Sequence, residues 1–165
     1  MPKIIENLQE LLLQEAKKQI AENGYSKTTV RSVAAACKVG VGTVYNYFPS
    51  KDMLIASFMA EEWKEMLCKI DRSGSAKDVL LSIYNVLTDF ANKHSALFCD
   101  SDAEKVFATA FSEWHPVLRR QIAEILLPFC NKEKFTAEFI SESLLSWTMA
   151  GKDFEAQYSV IKKLL

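Results

Sequence analysis

The stretch NGYSKTTVRSVAAACKVGVGTVYNYFPSKDML, residues 23–54, decides the fold of this 165-residue chain. It holds two apolar segments, each of about two helical turns, separated by the four residues Cys37-Lys38-Val39-Gly40. The first segment begins near Thr29, whose hydroxyl can cap free backbone N–H groups, and the second covers Val41 to Tyr47. Two short helices joined by a tight break, with a longer helix before them, are typical of a helix-turn-helix.

The residues on either side carry helix stop and start signals. Apolar residues recur at helical spacing up to Asn23-Gly24, where glycine can take the left-handed conformation that ends a helix. Pro49 cannot continue a helix, and Ser50 can cap the long helix that follows. The sequence therefore predicts three N-terminal helices and the start of a fourth.

The remainder of the chain is also periodic, and strand signals are almost absent. The long helix after Ser50 runs to the polar residues 73–78, and four or five more helices follow. Pro116 is a good first-turn residue, so separate helices are expected before and after it. The last two are expected at 135–151 and 154–165. We predict an all-α fold of about nine helices.

The composition is that of an ordinary folded chain, with 49% hydrophobic and 25% charged residues. No apolar run approaches the roughly 18 residues of a membrane helix, and the N-terminus lacks a signal-peptide core, so we expect a cytoplasmic protein without a membrane partner. The net charge is −1, yet residues 1–51 hold seven basic and four acidic side chains, a local charge of +3. This excess weakly favours a polyanion partner.

No pattern indicates catalysis or metal binding. The four cysteines form no C-x-x-C motif and only two histidines are present, so buried reduced thiols are expected and no metal site is predicted. Gly40-x-Gly42 lacks the third glycine and the preceding strand of a dinucleotide loop. Without a Ser/His/Asp or Cys/His constellation either, we predict no enzyme and no cofactor.

Residues 23–54 resemble the DNA-binding domain of the TetR family of transcriptional regulators. The resemblance covers about the first 55 residues and rests on four groups of residues: Gly24-Tyr25, Thr28-Thr29-Val30-Arg31, Gly42-Thr43-Val44-Tyr45 and Tyr47-Phe48-Pro49-Ser50-Lys51-Asp52. It implies a helix-turn-helix domain at residues 1–50 and a helical ligand-binding and dimerisation domain at residues 51–165. It also implies a transcriptional regulator, most often a repressor.

Two residues depart from the family pattern. Family members commonly have glycine where Lys38 stands, and a lysine at positive φ costs about 1 kcal/mol. They commonly have a capping serine where Gly40 stands, and glycine is less favourable there by only a few tenths of a kcal/mol, as a rough figure. Both departures leave the fold intact and the base preference open.

The helix-turn-helix arrangement assigns the side chains of the second short helix to two sides. Val44 and Phe48 are expected to face the core. The side chains expected to face the bases in the major groove are Val41, Thr43, Tyr45 and Asn46. Hydroxyl and basic groups nearby can reach phosphate oxygens. The predicted DNA-binding residues are Thr28, Thr29, Arg31, Lys38, Val41, Gly42, Thr43, Tyr45, Asn46, Tyr47 and Lys51.

The resemblance also implies a homodimer joined by the last two helices. A single two-turn helix touches few bases, so a two-fold dimer that reads half-sites about 34 Å apart is needed for specificity. The expected target is a pseudo-palindromic, inverted-repeat operator in double-stranded DNA. The candidate dimer contacts are Phe139, Ile140, Leu144, Trp147, Tyr158, Ile161 and Leu165.

Relatives in the family usually respond to a small ligand, which implies a small-molecule effector of unknown identity here. Aromatic side chains suit an apolar pocket, although such stripes at helical spacing are more often core. The candidate pocket residues are Tyr84, Phe90, His94, Phe98, Phe107, Phe111 and Trp114.

Two alternatives remain open. The effector domain could recognise a protein partner, or the whole chain could be a helical carrier of a small molecule that has lost DNA binding. The regulator hypothesis requires that Tyr45→Ala or Lys51→Ala weaken DNA binding without unfolding the protein, because both residues are expected to lie largely outside the core.

Overall fold

The computed structural model describes residues 7–98 and 101–165, and within them the side chains of Ala96, Phe98 and residues 101–113 are left undescribed. These described residues form nine α-helical segments and one 3₁₀ turn, with no strand among them, which confirms the predicted all-α fold. The α-helices are α1 Leu8–Asn23, α2 Val30–Ala36, α3 Val41–Tyr47, α4 Lys51–Leu67, α5 Ala76–Lys93, α6 Ser95–Phe98, α7 Ser101–Leu126, α8 Lys134–Met149 and α9 Phe154–Ile161, and the 3₁₀ turn is Leu127–Phe129.

The chain divides into two compact units. The first comprises Met1–Lys64 and Ser95–Ala108, and the second comprises Glu65–His94 and Thr109–Leu165. The predicted functional boundary between residues 50 and 51 stays a prediction, because compactness alone does not define which segment binds DNA.

The first unit packs α1, α2 and α3 around one apolar cluster. Leu12, Ala16 and Ile20 lie four residues apart on one face of α1, and all three are buried. In α3 the single buried residue is Val44, and Phe48 follows it into the core directly after the helix ends. The predicted inward orientation of Val44 and Phe48 is confirmed.

Side-chain caps set the helix ends of this unit. The Ser32 backbone N–H donates to the Thr29 hydroxyl and the Thr29 backbone N–H donates to the Ser32 hydroxyl, both at 3.0 Å, which is a reciprocal capping box. The Met53 backbone N–H donates to the Ser50 hydroxyl at 3.1 Å and so caps α4. Gly24 ends α1 at a φ of 80°. The three helix boundaries predicted at these residues are confirmed.

The second unit has its core between α5, the C-terminal part of α7, α8 and α9. The most completely buried side chains share one face of each helix, and they are Leu80, Ile83, Ile122, Leu126, Ile140, Leu144 and Leu145. The observed final helices begin within one residue of the predicted ones but end earlier, at Met149 and Ile161.

The predicted helix break at Pro116 is wrong, because α7 runs continuously from Ser101 to Leu126 with Pro116 inside it. A proline inside a helix removes one backbone hydrogen bond and costs about 3 kcal/mol. Leu118, Ile122 and Leu126 are buried beyond it. Each such side chain contributes about 1.5–3 kcal/mol on burial, so tertiary packing outweighs the local cost.

Candidate nucleic-acid interface

The second helix of the helix-turn-helix, α3, presents most of its side chains to solvent. Tyr45 and Tyr47 are 50% and 45% exposed, and Asn46 between them is also exposed. Val41 and Thr43 are half-buried. Because Val44 alone anchors the helix to the core, the phenol, amide and hydroxyl groups of α3 are available to an external partner.

The turn between α2 and α3 bends sharply at Lys38. This residue has a φ of 56° and an exposed side chain, and the backbone N–H of the next residue, Val39, donates to the Ala34 carbonyl at 3.0 Å. The left-handed conformation expected at this position is confirmed. Gly40 then begins α3 with an extended backbone and no side-chain cap, as its residue type requires.

A cleft of about 590 Å³ lies beside α3. It combines a guanidinium from Arg31, an ammonium from Lys51 and a phenol from Tyr45 with hydroxyl groups. Groups of this kind bind phosphate oxygens. The lining residues are Thr29, Val30, Arg31, Val41, Tyr45, Pro49, Ser50 and Lys51.

Lys51 is tied to the turn after α1 and is therefore not an isolated surface charge. Its ammonium donates to the Tyr25 carbonyl and lies 3.4 Å from the centroid of the Tyr25 ring. The Tyr25 hydroxyl in turn donates to Asp52 Oδ1 at 2.6 Å. Lys51 is half-buried and lies outside the apolar core, as expected, but Lys51→Ala would also remove an internal contact.

The two threonines at the start of α2 differ in their surroundings. Thr28 is only 2% exposed, and its hydroxyl donates to the Gly24 carbonyl at 2.9 Å. Its predicted phosphate contact does not fit this orientation, because the hydroxyl is used inside the turn. Thr29 and Arg31 are exposed, and both line the cleft beside α3. These two residues fit the predicted role.

The cysteines follow the expected pattern only in part. Cys37 and Cys130 are buried, and burial raises the pKa of each thiol above its ordinary value, so both stay protonated at neutral pH. Cys68 is exposed at the end of α4, contrary to the expectation of buried thiols. Cys99 lies outside the described residues.

The candidate effector-pocket residues are only partly described. Phe98, Phe107 and Phe111 lie outside the described side chains. Tyr84 packs against Phe154 of α9 with ring centroids 5.6 Å apart, and Phe90 packs against His94 at 4.6 Å. Trp114 is half-buried. The described contacts are those of a packed core, so the pocket stays a prediction.

The candidate dimer residues separate into two faces of α8 and α9. Ile140 and Leu144 are completely buried within the second unit, so their predicted partner contacts do not fit this arrangement. Ile161 is also buried but lines the groove between α8 and α9, so its predicted contact stays a prediction. Phe139 and Trp147 are more than half exposed, and Tyr158 and Leu165 are half-buried.

Three exposed apolar residues were missed from the sequence: Phe135, Val160 and Leu164. Val160 and Leu164 line an apolar groove of about 420 Å³ between α8 and α9 together with Phe139 and Trp147, and the Phe135 ring lies 6.4 Å from that of Phe139, centroid to centroid. The signal that could have revealed them is a second stripe of four-residue spacing on α8, one position before the buried stripe. The groove is lined by Phe139, Ser143, Trp147, Lys152, Ala156, Gln157, Val160, Ile161 and Leu164.

No helix in the part of the chain that the structure describes is long and apolar enough to cross a membrane.

A capped α2, a tight turn and an α3 with exposed polar side chains define the class of helix-turn-helix DNA-binding domains. Residues 12–58 match the family model for bacterial regulatory proteins of the tetR family. The match is confined to the helix-turn-helix part of the chain, which is therefore similar to the DNA-binding domain of that family.

The curated relatives match mainly in the same region. The HTH-type transcriptional repressor KstR of Mycobacterium tuberculosis is 41% identical over 56 residues, which are 34% of this chain and 26% of the relative. The fatty acid metabolism regulator protein of Bacillus subtilis is 26% identical over 125 residues, which are 73% of this chain and 61% of the relative. The chain thus spans less than two thirds of the length of the curated relatives it matches.

A solved structure extends the similarity of fold over nearly the whole chain. The Thermus thermophilus FadR, described as a TetR family transcriptional repressor in complex with lauroyl-CoA, superposes with a TM-score of 0.64. The match covers 94% of this chain and 92% of that one at 19% sequence identity. At 19% sequence identity, this structural similarity shows a shared fold only.

Proposed function

We propose that this chain is a sequence-specific regulator of transcription, most often a repressor in this class, and that α3 enters the major groove of its operator. The observation that carries the proposal is α3 itself: Val44 holds it to the core while Tyr45, Asn46 and Tyr47 stand exposed on one short helix. A helix held in this way can place its exposed side chains in a groove while its buried residue stays packed in the core.

The residues of α3 and its surroundings separate into base-reading and phosphate-binding groups. An asparagine amide can bind the edge of adenine with two hydrogen bonds, which suits Asn46, and a threonine or valine methyl can contact the thymine methyl, which suits Thr43 and Val41. Arg31 and Lys38 are exposed cations near α3 that suit phosphate oxygens.

A homodimer is the second part of the proposal. The apolar groove between α8 and α9 is lined by large exposed side chains, with Trp147 53% and Val160 60% exposed. A second copy of the same face would cover these side chains and place two α3 helices on an inverted repeat.

A small apolar effector is the third part. The relative from Bacillus subtilis, whose match extends beyond the DNA-binding domain, is named for fatty acid metabolism, and the Thermus thermophilus protein was solved with lauroyl-CoA. We therefore choose lauroyl-CoA as the first probe, with free coenzyme A as its control. Lauroyl-CoA at 100 times its dissociation constant should stabilise the protein by about 2.7 kcal/mol and release it from DNA.

If lauroyl-CoA and a broad library of apolar compounds leave the thermal midpoint unchanged, the effector part of the proposal is wrong. A protein partner of the second unit would then be the better explanation.

The DNA-binding part is tested by selecting bound duplexes from a random pool at about 150 mM salt, where non-specific phosphate binding is suppressed. We expect an enriched inverted repeat. Asn46→Ala should weaken binding to the selected site, whereas Asn85→Ala, an equally exposed asparagine on α5, should not. A folded, dimeric protein that enriches no sequence would contradict the proposal and favour the carrier alternative.

A further inference from the structure

We propose that Tyr25 is a positioning residue that holds the Lys51 ammonium in place to bind a phosphate of the operator backbone. The proposal rests on the DNA-binding function proposed above. It assigns a role to a residue that otherwise marks only the end of α1.

Two contacts from Tyr25 converge on one ammonium. The Tyr25 carbonyl accepts a hydrogen bond from Lys51 Nζ, and the ring face lies under the same nitrogen, 3.4 Å from its centroid. A lysine side chain has a flexible stem of four carbons and loses much conformational freedom when it is ordered. Because Tyr25 orders Lys51 in the free protein, that entropy is not lost again when DNA binds.

Tyr25 is itself firmly held. It is buried, its hydroxyl donates to Asp52 Oδ1 at 2.6 Å, and its carbonyl also accepts from the Thr28 backbone N–H at 3.1 Å. The Asp52 carboxylate contacts the phenol at the rim of the ring, whereas the ammonium lies over the ring face. One aromatic side chain thus engages both neighbouring charges at separate points.

The held ammonium lies where a phosphate would approach. Lys51 lines the same cleft as Arg31 and Tyr45, beside the exposed face of α3. An ammonium carries three N–H donors, so its bond to the Tyr25 carbonyl is compatible with a phosphate contact at the same nitrogen.

The test is the salt dependence of operator affinity, measured on the full chain between 50 and 200 mM salt. Each phosphate contact contributes about 0.9 to the slope of log affinity against log salt concentration. Lys51→Met removes the ammonium, and Tyr25→Leu removes the ring and hydroxyl. We expect Lys51→Met to lower the slope by about 0.9, because one phosphate contact is lost. Tyr25→Leu keeps the ammonium and the backbone carbonyl, so we expect it to weaken operator binding roughly two- to fivefold at low salt, and to have no further effect when it is combined with Lys51→Met.

Tyr25→Phe is the matched control, because it keeps the ring and the carbonyl and loses the hydroxyl. It should keep the wild-type slope and affinity. A Lys51→Met variant with the wild-type slope, or a folded Tyr25→Leu variant with the wild-type affinity, would overturn the proposal. Failure of the wild-type protein to bind a selected operator would instead contradict the DNA-binding function itself, so the two failures are distinguishable.

Since Tyr25 is buried, a second pair of variants covers the case in which Tyr25→Leu does not fold. Phenylalanine and 3,4,5-trifluorophenylalanine at position 25 have similar shapes, but fluorine withdraws electron density from the ring face and weakens its attraction for a cation. We expect the trifluoro variant to bind the operator roughly two- to fivefold more weakly than Tyr25→Phe at low salt. Equal affinity of the two would overturn the proposal.

Discussion

Lys38 adopts a backbone conformation that disfavours any residue with a β-carbon. Its φ of 56° lies in the left-handed region, and Lys132 in the second unit has the same strain at a φ of 61°. Both side chains are exposed, so neither strain is offset by burial of the side chain. Substitutions at the two positions can therefore be compared. Relief of backbone strain should be the same at both, whereas loss of a DNA contact should occur only at Lys38.

Replacement of either lysine by glycine should raise the free energy of unfolding by about 1 kcal/mol, as measured by urea denaturation. Only Lys38→Gly should also weaken operator binding and lower its salt slope, by about 0.9 for one lost phosphate contact. If Lys38→Gly binds the operator as the wild-type protein does, the predicted phosphate contact is wrong.

Asp78 makes stability depend on acid pH. The Ser75 hydroxyl and backbone N–H donate to its carboxylate and hold the pKa of Asp78 below its ordinary value of 3.8. The unfolded chain then binds the proton more readily, so this stabilisation is complete above the ordinary pKa and is lost as the pH falls through the folded-state value.

Asp78→Asn should therefore lower stability at pH 6 and make the loss of stability between pH 6 and pH 3 shallower than in the wild-type protein. Thermal unfolding across this range measures both effects. Asp89→Asn, which also replaces an exposed aspartate on the same helix by asparagine, is the matched variant for comparison. An Asp78→Asn profile parallel to that of the wild-type protein would contradict the prediction.

At the scale of the element, α2 and α5 begin with the same capping motif. Thr29 with Ser32, and Ser75 with Asp78, each form a reciprocal capping box that satisfies N–H groups at the start of the helix. The short α2 has only seven residues, so it depends more on its cap than the 18-residue α5 does.

Thr29→Ala and Ser75→Ala should each cost about 1 kcal/mol of stability, because either change leaves backbone donors at the helix start without their cap. Thr29→Ala should also reduce operator affinity, since α2 supports α3, whereas Ser75→Ala should leave operator affinity unchanged. Denaturation curves and binding titrations of the two variants provide the comparison. Equal operator affinities would mean that the cap of α2 does not contribute to DNA binding.

At the scale of the whole molecule, the exposed apolar face of α8 and α9 is the feature that a single copy leaves uncovered. Phe139 and Trp147 lie along the groove between the two helices, with Val160 across from them. Burial of each such large side chain contributes about 1.5–3 kcal/mol, so a matching face on a second copy would be strongly favoured.

Trp147→Glu should convert the proposed dimer into a monomer and thereby abolish tight binding to an inverted repeat, because a buried carboxylate without a partner is costly. Sedimentation equilibrium measures the mass. Met53→Glu, which changes an exposed apolar residue in the first unit, should leave the mass unchanged. A monomeric wild-type protein would contradict the dimer.

Local chemistry explains what the sequence alone determined. The bounds of α2 and α3 and the inward side chains Val44 and Phe48 depend on caps, turn residues and spacing within a few positions. These are interactions between neighbours in the chain, so they can be read from the order of residues.

Tertiary packing decided the rest. Pro116 stays inside α7 because the buried residues beyond it outweigh the lost hydrogen bond. Two apolar stripes run along α8, and only contacts with other helices determine that the one with Ile140 and Leu144 is buried. Lys51 contacts Tyr25, which lies 26 positions earlier in the sequence. This contact forms only when the helices pack, so no local sequence pattern predicts it.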